Sequence, residues 1–167
     1  MKQGIDPEAI YALALAFLIV LGLHWSVPIA AADPGDDETQ ADMAPVVEVP
    51  IWPATGPITS RYGPGHPLGI DIGIPQGTPI LASTGGFVTF AGGRPCCEYG
   101  LYAVVDNGQG VQTLYAHLST IFVWQGQWVT QGQVLGLAGR TGHATGPHLH
   151  FEVLQDGVIV NPMTRLP

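Results

Sequence analysis

Short apolar runs separated by glycine and proline dominate the chain from residue 58 onward. Runs that recur about every ten residues, with such turns between them, are typical of strands in an antiparallel sheet. The pattern predicts strands at 69–74, 79–82, 86–91, 101–106, 112–117, 127–129, 134–138, 149–154 and 158–160. No helical period of useful length appears after Trp52. We therefore expect an all-β domain over residues 56–167, built as an antiparallel β-sandwich or barrel.

Residues 1–32 differ from the rest because an almost unbroken apolar stretch fills positions 9–23. It predicts one apolar N-terminal helix, followed by Ala30-Ala31-Ala32, a run of small residues that a signal peptidase accepts. Its length lies between a signal-peptide core and a membrane span of about 20 residues. A cleaved signal peptide and an uncleaved anchor in the membrane both stay open. Either one predicts an extracytoplasmic protein, secreted and cell-wall-associated or membrane-anchored.

Residues 33–55 are predicted to be an exposed linker, because they are rich in Asp, Pro and Ala. Residues 46–52 within it have the pattern of an edge strand interrupted by prolines. Residues 33–57 hold six acidic residues and no Lys or Arg, so most of the formal charge of −8 lies there. From residue 58 onward, four arginines stand against five acidic residues. A nearly neutral domain without a basic patch argues against nucleic-acid binding.

The stretch His148-Leu149-His150-Phe151-Glu152 carries the densest candidate chemistry. Side chains alternate faces along a strand, so both histidines and Glu152 point one way and the apolar residues the other. Asp71 stands among isoleucines that face a core, and a charge in that place is costly unless it is paired or binds a metal. A turn-capping role is its structural alternative. The same alternation places Thr113, Tyr115 and His117 on one face.

Histidine nitrogen and carboxylate oxygen are good zinc ligands, and a catalytic zinc site keeps three protein ligands and one open position. No HExxH motif is present, so a zinc site here does not use two histidines of one helix. Taken alone, a histidine such as His117 is more often a hydrogen-bonded strand residue than a catalytic one. The combination of histidines and a carboxylate is what favours a metal.

Several separate motifs occur in one order along residues 56–166. They are Ser60-Arg61-Tyr62-Gly63, His66 with Gly69-Ile70-Asp71-Ile72, Gly77-Thr78-Pro79-Ile80, Tyr115-Ala116-His117-Leu118, the glycine-rich stretch 126–139, Thr145-Gly146-Pro147-His148-Leu149-His150-Phe151-Glu152 and Asn161-Pro162. With these motifs the segment closely resembles the LytM/lysostaphin-type zinc metallopeptidases of the duplicated hybrid motif fold. Those proteins are peptidoglycan endopeptidases with an antiparallel β fold.

The resemblance implies one zinc ion per domain, held by His66, Asp71 and His150. It implies that His117 and His148 are catalytic in peptide-bond hydrolysis, and that peptidoglycan is the partner. One departure stands out: the usual H-x-G-x-D spacing is lengthened here by one residue between His66 and Asp71. A small β-bulge could still bring His66 to the metal, since a bulge absorbs one residue.

Other residues carry open alternatives. Glu152 either orients a ligand imidazole or is a solvated strand residue. His143 is expected at the rim of the site and is the reserve ligand for His66. Tyr62 and Tyr115 either line the cleft or pack in the core. The adjacent Cys96 and Cys97 either form a vicinal disulfide that stiffens residues 92–100, stay free or pair between chains.

Two rival interpretations accompany the zinc endopeptidase. One is a non-catalytic relative that binds peptidoglycan or activates other cell-wall hydrolases, for which the shifted His66 is the main argument. The other is a structural envelope domain tethered by the leader. The sequence does not indicate the oligomeric state or the bond that is cleaved.

Overall fold

The structure, a computed structural model, describes residues 48–167, where the chain forms ten β-strands and one short 3-10 turn at Pro162–Thr164. The strands are β1 (Ile58–Ser60), β2 (Ile70–Gly73), β3 (Pro79–Leu81), β4 (Gly86–Gly93), β5 (Leu101–Asp106), β6 (Val111–Ile121), β7 (Trp128–Val129), β8 (Val134–Ala138), β9 (His148–Gln155) and β10 (Val158–Val160). The all-β prediction is confirmed for this part of the chain. The predicted N-terminal helix lies outside the described residues.

Apart from shifts of one or two residues at several strand ends, the strands differ from the prediction at two places. β1 was not predicted, and β6 runs four residues past the expected end at His117. Residues 48–52 form no strand, so the described part of the expected edge strand is absent, in line with its interrupting prolines. Among residues 48–167, no helix has the length and apolar character needed to cross a membrane.

All ten strands belong to one antiparallel sheet with the main order β1-β2-β9-β6-β5-β4-β7. β10 adds to β9, while β8 pairs with both β6 and β3. β6 is the centre of this arrangement, because its first half pairs with β9 through Ala116 and its last residues pair with β8 from Leu118. The sheet therefore branches at the residue between them, His117.

The two faces of β2 and β9 are chemically distinct. Ile70, Ile72, Leu149, Phe151 and Val153 are fully buried in the core. The residues that alternate with them carry the carboxylates and imidazoles, as the alternation predicted. One face of the paired strands therefore packs the core and the other builds a polar site.

The end of the segment assigned to the linker contacts the sheet. The Ile51 N–H donates to the carbonyl of Ser83 at 2.8 Å. The indole N–H of Trp52 donates to the carbonyl of Pro167 at 2.9 Å, and its ring packs against the core. Residues 48–55 thus lie against the β-domain in this structure.

Tyr115 is buried in the core, where its hydroxyl is hydrogen-bonded. Its hydroxyl accepts a hydrogen bond from the Ser83 N–H at 2.6 Å and lies 2.9 Å from Oγ1 of Thr113. The ring is fully buried and packs near Phe151. Of the two alternatives for Tyr115, core packing is the correct one.

We predict that Tyr115→Phe lowers the free energy of unfolding by about 1–3 kcal/mol, because it leaves the Ser83 N–H buried without an acceptor. Denaturant unfolding measures the change. Tyr62→Phe is the matched control, since the Tyr62 hydroxyl makes no hydrogen bond among the described residues. Equal stability of the two variants would contradict a stabilising role for the hydrogen bond between the Tyr115 hydroxyl and the Ser83 N–H.

Candidate metal centre and catalytic site

The pairing of β2 with β9 brings the first two candidate ligands together. Asp71 lies opposite His150 in the ladder. Nδ1 of His150 is 2.8 Å from Oδ1 of Asp71. Because the two side chains share a face of the sheet, one backbone register fixes their contact.

His66 reaches the same place from a tight turn before β2. Gly63 and His66 form an isolated antiparallel bridge with two backbone hydrogen bonds. The His66 N–H donates to the Gly63 carbonyl at 2.9 Å, and the Gly63 N–H donates to the His66 carbonyl at 3.2 Å. Nδ1 of His66 lies 2.9 Å from the carbonyl oxygen of Gly69, and Nε2 lies 3.4 Å from Oδ2 of Asp71. The extra residue is therefore absorbed in the loop between the bridge and β2, and β2 itself pairs with β9 in regular register.

The three side chains form a donor set that suits zinc. One ligand atom from each of His66, Asp71 and His150 lies within 4.8 Å of the other two. Ligands about 2.0 Å from a tetrahedral zinc are separated by roughly 3.3 Å, so the Asp71 contacts are already near the required spacing. Two nitrogens and a carboxylate oxygen are also the ligand types that zinc prefers.

The second nitrogen of His150 is held by a buried carboxylate. Nε2 of His150 lies 3.0 Å from Oε1 of Glu152, and the Tyr99 hydroxyl donates to the same oxygen at 2.6 Å. Glu152 is only 3% exposed, so the solvated alternative for it is wrong. Tyr99 was not singled out in the sequence, because it lies in a loop 53 residues from Glu152.

Burial and hydrogen bonding shift the pKa values of this cluster in opposite directions. Burial disfavours a charged His150, yet hydrogen bonds to Asp71 and Glu152 raise the pKa of His150 to about 9. Burial alone would raise the pKa of Asp71, but hydrogen bonds from His150 and Ser60 lower it. The two carboxylates therefore favour the protonated ring, and a metal at Nδ1 would have to displace that proton.

His117 enters the site through an irregularity in β6. Its φ is +61°, in the left-handed region that non-glycine residues rarely adopt. Opposite β5, two residues of β6, Ala116 and His117, occupy the space of one, which is a β-bulge. The expectation that His117 shares a face with Tyr115 is therefore wrong, since Tyr115 packs in the core and His117 faces the cleft beside His148.

The two candidate catalytic histidines have the same hydrogen-bonding arrangement. Nδ1 of His117 lies 2.8 Å from the Thr141 carbonyl, and Nδ1 of His148 lies 2.9 Å from the Gly146 carbonyl. A carbonyl oxygen only accepts, so Nδ1 carries the proton in each neutral ring and Nε2 keeps a free lone pair. Burial lowers the pKa of His117, which favours the neutral imidazole.

One cleft of about 590 Å³ joins these groups. Its walls contain the five predicted site residues together with rim residues; they are His66, Leu68, Asp71, Glu98, Tyr99, His117, His143, Thr145, His148 and His150. The rings of His117 and His148 are 4.7 Å apart. His143 lines this cleft but does not join the metal cluster of the described residues, and Tyr62 packs against the core.

The loop that carries Tyr99 contains both cysteines of the chain. Cys96 and Cys97 form a vicinal disulfide. The Gly142 N–H donates to the Pro95 carbonyl at 2.7 Å, and the His143 N–H donates to the Glu98 carbonyl at 2.8 Å. The loop is therefore bound along its length to the segment that supplies the Thr141 carbonyl.

Comparisons with known proteins identify relatives of the β-domain. A family model described as peptidase family M23 matches residues 65–162. The chain is 47% identical over 96 residues to the DD-carboxypeptidase/endopeptidase Mpg of Neisseria meningitidis serogroup B, covering 58% of this chain and 22% of that protein. It is 43% identical over 107 residues to the peptidoglycan DD-endopeptidase ShyA of Vibrio cholerae, covering 64% of this chain and 24% of that protein.

The domain is also similar to a solved structure. A zinc-containing peptidase from Vibrio cholerae superposes with a TM-score of 0.61 at 38% sequence identity, covering 68% of this chain and 38% of that chain. The alignments with the two curated relatives span less than a quarter of their lengths. The similarity thus concerns the β-domain that holds the site.

We predict that glycine at position 117 is more stabilising than alanine, because a left-handed residue with a Cβ costs about 1–2 kcal/mol. His117→Gly should therefore have a higher free energy of unfolding than His117→Ala by about 1 kcal/mol. At Ala116, whose φ is not positive, glycine should instead be less stable than the wild-type alanine. Denaturant unfolding of the three variants measures these differences. If glycine were less stable than alanine at position 117 as well as at position 116, the backbone strain proposed at His117 would be contradicted.

We predict that Gly69→Ala lowers the free energy of unfolding by about 1–3 kcal/mol and weakens metal binding. A Cβ at Gly69 would collide with the carbonyl oxygen of Phe151, and the Gly69 carbonyl is the acceptor that orients His66. Gly65→Ala is the control, because a Cβ at Gly65 meets nothing within 4 Å. Unfolding and zinc titration of both variants test this, and equal behaviour would be the contrary result.

Proposed function

The chain belongs to peptidase family M23, and on that premise we propose that it is an exported zinc-dependent endopeptidase that hydrolyses peptide bonds in peptidoglycan stem peptides or cross-bridges. The observation that carries the proposal is the composition of the cleft. Two histidines and a carboxylate offer metal ligands, and two further histidines present free Nε2 atoms to the same space. Such a constellation suits metal-assisted hydrolysis of an amide.

In this proposal His66, Asp71 and His150 hold the zinc. Held by these residues, zinc would supply a Lewis acid for the substrate carbonyl and would lower the pKa of a water bound to it to about 7. His117 and His148 then serve the proton transfers, with Nε2 of one accepting a proton from the attacking water. That imidazole would then return the proton to the nitrogen of the leaving amine as the peptide bond breaks. The other imidazole, when Nε2 has taken a proton from solvent, would donate a hydrogen bond to the developing oxyanion. The assignment of these two roles between His117 and His148 stays open.

Residues in and around the cleft orient the two catalytic imidazoles and offer contacts for the substrate. The Thr141 and Gly146 carbonyls hold the two catalytic imidazoles by Nδ1, so Nε2 cannot rotate away from the substrate. The exposed Leu68 gives the rim one apolar contact for a substrate side chain or backbone. The disulfide loop closes the opposite side through Glu98 and Tyr99.

We extend the proposal to the location of the protein. Two curated relatives are named as endopeptidases, and one of these names specifies peptidoglycan. Peptidoglycan lies outside the cytoplasmic membrane, so the substrate class requires export. The apolar segment at residues 1–32, as a signal peptide or a membrane anchor, would supply it.

We predict that the full-length chain binds one zinc ion and cleaves purified muropeptides. His150→Ala should lose zinc, because it removes a ligand, whereas His148→Ala should keep zinc and lose at least about 100-fold in cleavage rate. Metal analysis and mass spectrometry of the digestion products are the measurements. His143→Ala is the control and should retain both properties, since His143 is at the rim.

The outcomes separate the candidate functions. Zinc binding without cleavage by the wild type would favour the non-catalytic, hydrolase-activating relative. Neither zinc nor cleavage would favour a structural envelope domain. Full activity in His148→Ala would refute the role given to that residue.

A further inference from the structure

We propose that Tyr99 and Glu152 are positioning residues that hold His150 with Nδ1 toward the metal ligands. The inference deepens the proposed zinc site and rests on it. It concerns which of the two ring nitrogens His150 presents and what keeps the ring in that orientation. Neither Tyr99 nor Glu152 offers an atom to the metal cluster of the described residues.

The first step is the hydrogen bond between His150 and Glu152. An ionised carboxylate only accepts hydrogen bonds, so Nε2 of His150 carries the proton in the 3.0 Å contact with Oε1. With Nε2 protonated, the neutral ring has its lone pair on Nδ1, which lies 2.8 Å from Asp71. Glu152 therefore selects the tautomer that can bind a metal beside Asp71.

The second step concerns what fixes Glu152. Its carboxylate is buried, and the Tyr99 hydroxyl donates to Oε1, the same oxygen that faces His150. A carboxylate oxygen only accepts hydrogen bonds, so the Tyr99 hydroxyl is the donor in this contact. The Tyr99 ring also stacks on the His150 ring, with centroids 5.8 Å apart and planes 30° apart. Tyr99 thus restrains both members of the pair it contacts.

The third step is the anchoring of Tyr99 itself. Its carbonyl accepts the N–H of His117 at 2.9 Å, in the strained bulge of β6. The neighbouring Gly100 has φ of +67°, and a Cβ there would overlap Thr141. The backbone of Tyr99 is therefore fixed between β6 and the 139–146 segment. Through its main chain it contacts a proposed catalytic histidine, and through its side chain it supports a proposed metal ligand.

The test compares Tyr99→Phe and Glu152→Gln with the wild type in the full-length chain. Tyr99→Phe keeps the ring and its stacking and removes only the hydroxyl. Glu152→Gln keeps the shape of the side chain and removes the charge. Tyr102→Phe is the matched control, because it keeps the ring of Tyr102 against Phe90 and Tyr99, and the hydroxyl that it removes makes no hydrogen bond to Glu152 among the described residues.

The first measurement is zinc affinity by competition with a chelator. Loss of a group that orients a metal-binding histidine typically weakens metal affinity by about 10–100-fold, and we expect Glu152→Gln to fall in that range. Tyr99→Phe should weaken zinc binding less, by several-fold, and Tyr102→Phe should leave it unchanged. Wild-type affinity in folded Tyr99→Phe and Glu152→Gln proteins would overturn the proposal.

The second measurement is made without metal. The imidazole ¹⁵N and ¹H signals of His150 report whether Nε2 carries a proton hydrogen-bonded to a carboxylate. We expect the shifted Nε2 proton signal in the wild type and Tyr102→Phe, and its loss in Glu152→Gln. Absence of that signal in the wild type would refute the pairing even if cleavage is observed. A wild type that shows the signal but binds no zinc would instead refute the proposed function and leave the pairing supported.

Discussion

The pairing of β2 with β9 is the constraint on which the whole site depends. It sets Asp71 opposite His150, and at the same time it buries Ile70 and Ile72 on the other face. A slip of one residue would exchange these faces, placing a carboxylate in the core and isoleucines in water. Each fully buried aliphatic side chain contributes about 1.5–3 kcal/mol, so hydrophobic burial fixes the register strongly. The placement of Asp71 against His150 is thus a consequence of core packing.

Main-chain carbonyls then determine how the histidines are used. Gly69, Thr141 and Gly146 each accept from Nδ1 of a histidine, and in all three rings Nε2 is the nitrogen left for the cleft. His150 is the exception, because a carboxylate holds its Nε2 and Nδ1 is the nitrogen that faces Asp71. Three acceptors belong to loops and turns, so the conformation of those segments controls the chemistry as directly as the side chains do. Backbone hydrogen bonds restrain two of these segments: Gly63 pairs with His66, and the Gly142 and His143 N–H groups donate to carbonyls in the loop at 95–98.

The regular strands were predictable and the irregular positions were not. Alternation alone assigned both faces of residues 148–153 and the orientation of Asp71, because β9 and β2 keep a period of two. The same rule failed at His117, since a left-handed residue inverts the alternation and histidine carries no local signal for it. Tyr99 was missed for another reason: its partner Glu152 is close only after β5, β6 and β9 have assembled. The loop that brings in His66 likewise depends on a contact with Gly69 that spacing alone does not specify.

At His117 the fold and the site impose the same requirement. β6 must leave β9 after Ala116 and join β8 from Leu118, and the bulge with its positive φ makes that change of partner possible. Gly139 allows the close approach, because a Cβ there would press on the main chain around Ser119. A strained residue of this kind persists only where its surroundings over-determine it, and β6 is held by β5, β8 and β9 together. Relaxing the strain by a regular strand would turn the imidazole toward the side of Tyr115, in the core. The cost of the strain therefore cannot be removed by straightening β6 without also removing His117 from the cleft.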